Sequence, residues 1–71
     1  MIDKDLLKLA KLCEHWANHN DSHKEGYEKW RDIAQEKGLA SVVSKLNKAI
    51  EMMDKSTEFL LSVKEDLNQH F

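Results

Sequence analysis

Three histidines set four residues apart carry the chemistry this sequence could do. They are His15, His19 and His23, inside the stretch CEHWANHNDSHKEGYEKW that runs from Cys13 to Trp30. On an α-helix, positions i, i+4 and i+8 form one nearly continuous row of side chains. Neutral imidazole is the commonest biological metal ligand, and a helical pair at i and i+4 can share one ion. The ions that suit imidazole are borderline ones, Ni²⁺, Zn²⁺ or Co²⁺. Glu14, Asp21 and Glu25 lie near enough in sequence to add a carboxylate, and Cys13 a thiolate. The glutamate of an H-E-x-x-H pattern is missing, so metalloprotease chemistry is not supported. No nucleophile–base pair or phosphate loop is legible elsewhere, and no catalytic residue is assigned. A second reading needs no metal: a histidine in a helical core, hydrogen-bonded to Asn20, Ser56 or Thr57, is ordinary buried polar structure.

The elements that position this row are helices. Counted in sevens, residues 2, 9, 16, 23, 30 and 37 read Ile, Leu, Trp, His, Trp, Lys, and 6, 13, 20, 27 and 34 read Leu, Cys, Asn, Tyr, Ala. Together they form an a/d pattern without a phase break. A third column at 12, 19, 26 and 33 broadens the stripe. In this count His15 points outward, His19 sits on the shoulder and His23 points at the seam. The stripe is apolar at both ends and polar at His19, Asn20 and His23. Ser22 with Glu25 fits a capping box, so a helix break near Asn20 is an alternative. Continuity is favoured because the heptad keeps phase and no proline or glycine lies between residues 18 and 25.

Gly38 is a stop, suited to the left-handed position that follows a helix, and Ser41 is a candidate N-cap for the next element. Beyond it, positions 39, 46, 53, 60 and 67 read Leu, Leu, Met, Leu, Leu, with 42, 49, 56, 63 and 70 as their companions. Val43, Ile50, Thr57 and Phe71 widen that stripe, and Glu51 with Lys55 forms a supporting pair. The expected elements are a helix over about 3–37, a turn at 38–40 and a helix over about 41–70. At 1.5 Å per residue the helices span roughly 52 Å and 45 Å. Helices of similar length joined by a short turn make an antiparallel hairpin.

Folding at Gly38 sets His23 against Met53, Asn20 and His19 against Ser56 and Thr57, Trp16 against Leu60 and Trp30 against Leu46. The polar centres of the two helices then coincide, and Asn20, His23, Ser56 and Thr57 form a polar layer of the kind that fixes register. Leu9, Trp16, Tyr27, Trp30, Leu46, Met53 and Leu60 are the expected core and interface. A two-helix hairpin cannot bury so wide a stripe alone. The fold expected is therefore all-α, an antiparallel helical hairpin dimerising into a four-helix bundle. A three-helix bundle broken near Asn20 is the alternative.

Composition bounds the rest. Seventy-one residues make one domain, of a size that buries only about 60% of its unfolded surface. A lone cysteine offers no disulfide framework and suits a reducing, cytoplasmic setting. The 11 basic and 13 acidic residues are well mixed, with no basic stripe for nucleic acid. No signal peptide and no apolar run of membrane-spanning length is legible.

The segment His15-Trp16-Ala17-Asn18-His19-Asn20-Asp21-Ser22-His23, followed by Gly26-Tyr27 and Trp30, resembles a family of small bacterial and archaeal helical proteins. Their mark is an H-W-x-x-H-N-x-x-H run ahead of an aromatic helix and a Leu-rich C-terminal helix. Here the second helix departs from that pattern with a polar centre from Asp54 to Glu58. The resemblance implies a metal-handling or accessory role beside nickel and carbon-monoxide-dehydrogenase maturation proteins, and it carries over only to His15, His19 and His23. The expected function is that of a small non-catalytic, homo-oligomeric helical protein with a histidine metal site. The alternative is a helical interaction or assembly module, with a protein partner and the histidines as buried polar structure.

Overall fold

Asp3 opens the first helix. Its extended backbone (φ −73°, ψ 118°) lets its carboxylate accept from the backbone N–H of Asp5 at 2.9 Å and of Leu6 at 3.3 Å. Such an N-cap contributes about 1 kcal/mol. The computed structural model describes residues 3–70, which form two helices, α1 (Lys4–Glu36) and α2 (Ala40–Asn68). Ile2 and Phe71, counted in the stripes above, lie outside the described residues. Helix α1 runs unbroken through Asn20 and Ser22, which removes the three-helix alternative. Asn20 does not turn its amide back to cap a helix. It donates across to α2.

The turn is made by Gly38, at φ +73°. Its N–H donates to the Gln35 carbonyl at 3.1 Å, and the Leu39 N–H donates to the Ala34 carbonyl at 3.0 Å. These are the two bonds of a Schellman ending. Leu39 then serves directly as the N-cap of α2, without a side-chain bond. Its carbonyl accepts from the Val43 N–H at 3.0 Å. Ser41, expected as the cap, therefore lies inside the first turn.

The packed hairpin is a rod of 58 × 14 × 11 Å. Its seam follows heptad steps of four and three: residues 6, 10, 13, 17, 20, 24, 27, 31 and 34 on α1, and 43, 46, 50, 53, 57, 60, 64 and 67 on α2. Each of these is buried or half-buried. One column of each helix matches the sequence count, but the second lies one step around the helix. On α1 it is Ala10, Ala17, Lys24 and Arg31, not Leu9, Trp16, His23 and Trp30. The cause is steric. Helix axes approach to about 8–10 Å only over side chains that fit between them, and Ala10, Cys13 and Ala17, at 5%, 1% and 3% exposure, do so. Two indole rings do not.

Lys24, Arg31 and Lys64 occupy seam positions by laying their stems along the groove and sending the charge to one side. Lys24 meets Asp54 at 2.8 Å, Lys64 meets Glu14 at 2.9 Å, and Arg31 donates to Asn47 at 3.2 Å. These links define one side of the hairpin as an ion-pair face. On α2, Glu51 lies between Lys48 at 3.3 Å and Lys55 at 3.4 Å.

The cross-links set two expectations. Lys64 holds the Glu14 carboxyl below its ordinary range, through a hydrogen bond and then its charge. That contribution to stability is complete above the ordinary carboxylate pKa and is lost as pH falls through the lowered value. Thermal melts should therefore show Glu14→Gln slightly less stable than the parent at neutral pH, with the gap closing in acid; a gap that widens in acid would contradict this. At the turn, Gly38→Ala should cost about 1 kcal/mol in urea unfolding, because φ is positive although a Cβ there meets nothing within 4 Å. An unchanged midpoint would show the left-handed geometry to be dispensable.

Candidate functional site

The residues left outside the seam collect on the other side. In an antiparallel pair, the flank of α1 at 9, 16, 23 and 30 lies beside the flank of α2 at 42, 49, 56 and 63, with 12, 19, 26, 33, 52 and 59 at the margins. This face is apolar. Trp16 is 43% exposed, Trp30 59%, Phe59 72% and Met52 44%. Val42 and Val63 are also exposed, and Leu9, Leu12 and Ile33 are half-buried. From Leu9 to Ile33 the α1 half carries no formally charged residue, and Lys45 is the one charge on the α2 half between Val42 and Val63.

Trp16 and Trp30 are thus not core of the single hairpin, whereas Leu9, Tyr27, Leu46, Met53 and Leu60 are half-buried along or beside the seam. Lys29 sits 5.9 Å from the Trp30 ring centroid, a cation–π contact that leaves most of the indole uncovered.

The histidine row crosses the middle of this face. Steps of four drift around the helix, so His15 starts on the solvent side, His19 follows on the margin, His23 stands on the face and Tyr27 ends in the seam. His15 and His19 have ring centroids 6.2 Å apart, His19 and His23 4.5 Å apart in edge-to-face contact, and His23 and Tyr27 6.3 Å apart and stacked. The closest link is between Nε2 of His23 and Nε2 of His19, at 2.9 Å. Unmetallated, that is a hydrogen bond in which one imidazole donates and the other accepts. His23, expected to point at the seam, is exposed instead, because the seam column at that level belongs to Lys24. Among the described residues no group of three or more His, Cys, Asp or Glu could hold a metal ion. Of the three histidines proposed as ligands, the structure brings His19 and His23 into contact and leaves His15 farther off.

Asn20, Ser56 and Thr57 come together beneath that pair. The Asn20 amide donates to Ser56 Oγ at 3.2 Å and to Thr57 Oγ1 at 3.4 Å. His23 is not part of this network, so the polar layer of the seam is three residues, with the histidines above it. Their levels agree with the fold-back at Gly38, which locks the register of the hairpin.

Little else here could do chemistry. Cys13 is a free thiol at 1% exposure, packed as a small apolar side chain. A groove beside the turn is lined by Gln35, Leu39, Val43, Ser44 and Asn47, with no titratable side chain among its lining residues. No helix among the described residues is long and apolar enough to cross a membrane. Gly26 lies in mid-helix on the apolar face. A Cβ there would meet nothing within 4 Å, so nothing within the chain requires glycine in mid-helix. It shares its column with Leu12, His19 and Ile33.

No curated protein and no solved structure matches the chain. A family model spans both helices and the turn between them, from residue 9 to residue 67, and the chain belongs to that family, described as a domain of unknown function (DUF8180).

Proposed function

We propose that this protein is a self-associating helical module, in which two hairpins lay their apolar faces together as a four-helix bundle. The observation that carries the reading is the asymmetry of the hairpin. One side is closed by cross-helix ion pairs, and the other presents Trp16, Trp30, Met52 and Phe59 to water.

Surface arithmetic supports a second copy as the occupant. The chain exposes 5580 Å², against about 4,600 Å² for a compact monomer of its mass. The excess, roughly 1,000 Å², is close to what one partner buries in a stable complex, about 800 Å². A nearly uncharged face suits a copy of itself, since no fixed charge is buried opposite its own kind. Gly26 adds to the case. A glycine in mid-helix costs about 1 kcal/mol relative to alanine, and close approach of another helix is a physical reason to keep one. The accessory role in nickel-enzyme maturation that the resemblance implies enters only through the histidines, and depends on the ion they take up.

Sedimentation equilibrium at micromolar concentration tests the assembly, with an expected mass of twice the 8.3 kDa chain. Trp30→Glu and Phe59→Glu should each shift the equilibrium toward monomer by at least about tenfold, the effect of about 1.4 kcal/mol. Leu61→Glu, an exposed leucine on the ion-pair side, should leave the mass unchanged. Gly26→Ala should weaken association while helicity is kept or raised. A parent that sediments as one chain, or a Leu61→Glu effect equal to that of Phe59→Glu, would contradict the proposal.

A further inference from the structure

We infer that the second copy completes a metal site: His19 and His23 of one hairpin, with the same pair of the other, bind one divalent transition-metal ion on the two-fold axis. This rests on the self-association proposed above.

Within one chain the hydrogen-bonded pair already brings two possible ligand nitrogens together. Metal–imidazole bonds of about 2.0–2.1 Å meeting at a right angle place two nitrogens about 2.9 Å apart, and Nε2 of His19 and Nε2 of His23 stand 2.9 Å apart. A tetrahedral angle would open that gap to about 3.4 Å. The hydrogen-bonded spacing is within a small movement of either value once the shared proton leaves, and imidazole nitrogens suit Ni²⁺, Cu²⁺ and Zn²⁺. Two ligands alone leave a labile ion. His15 does not extend the pair, since its ring lies 6.2 Å from that of His19 at the centroids.

Position supplies the other half. His19 and His23 straddle the midpoint of the apolar face, which runs on α1 from Leu9 to Ile33. A two-fold axis set across the rods at the middle of two such faces, with α1 lying on α1 of the second copy, brings the two pairs to one level. There Trp16 and Trp30 flank them along the same helix, one and two turns away, and would exclude water. Both histidines are exposed in the hairpin, as ligands awaiting a partner must be.

The test uses metal-free protein titrated with Ni²⁺ by calorimetry, with sedimentation run on the same samples. The expected result is one ion per two chains in a dimer. His19→Ala and His23→Ala should each weaken binding at least about tenfold, and His15→Ala should not. Because a histidine variant could also loosen the dimer, Co²⁺ bound to the unaltered protein gives an independent readout, with visible bands expected for an imidazole-rich shell. A dimer that takes up no Ni²⁺, or binds it equally well in His19→Ala, overturns the metal site and leaves the assembly standing. A metal-free chain that stays monomeric overturns the assembly itself, and a chain that is monomeric with metal as well overturns the shared site with it.

Discussion

The width of the gap between two helices decides the rest of this structure. A hairpin with only two helices has one groove, and that groove accepts a line of side chains no bulkier than its axis separation permits. Ala10, Cys13 and Ala17 let the helices close near their open end, and Ala34 does so beside the turn. Once these small residues take the seam, the two tryptophans beside them on the wheel are displaced to a flank. The exposure of Trp16 and Trp30 is therefore a consequence of a tight seam, not of loose packing.

Displacement in one direction only gives the molecule two unlike sides. Lysine and arginine at the second seam column lean toward Glu14, Asp54 and Asn47, so their charges all leave on the same side. The Lys24 ammonium is correspondingly held above its ordinary range, first by its hydrogen bond to Asp54 and then by that carboxylate's charge. Being exposed, these pairs add little stability. Their structural effect is to mark the side that needs no further cover. Among the described residues the opposite side has no such closure, and the five that are buried make a small core for a chain of this length.

Much of this was legible in the sequence. Heptad phase, the glycine at the turn and the matching polar centres suffice for a continuous hairpin, with Asn20 opposite Ser56 and Thr57. What escaped was the choice between the two columns that flank the shared one of Leu6, Cys13, Asn20, Tyr27 and Ala34, which lie about 100° apart on the helix wheel, one on each side of it. The column of Leu9, Trp16 and Trp30 looks greasier than that of Ala10 and Ala17, and hydrophobicity alone selects the wrong one. Volume selects the right one, because a groove between two helices rewards fit over size. The same one-step rotation removed His23 from the seam and set it against His19. A cap at Ser41 was misjudged for a separate reason, since the Schellman geometry of Gly38 and Leu39 starts the next helix immediately.

Small-angle X-ray scattering on the metal-free protein tests the central claim most directly, because it reads mass and length together. Face-to-face association predicts a particle of twice the chain mass whose longest dimension stays close to the 58 Å of one rod. A particle of single-chain mass, or one of doubled mass and nearly doubled length, would contradict the account.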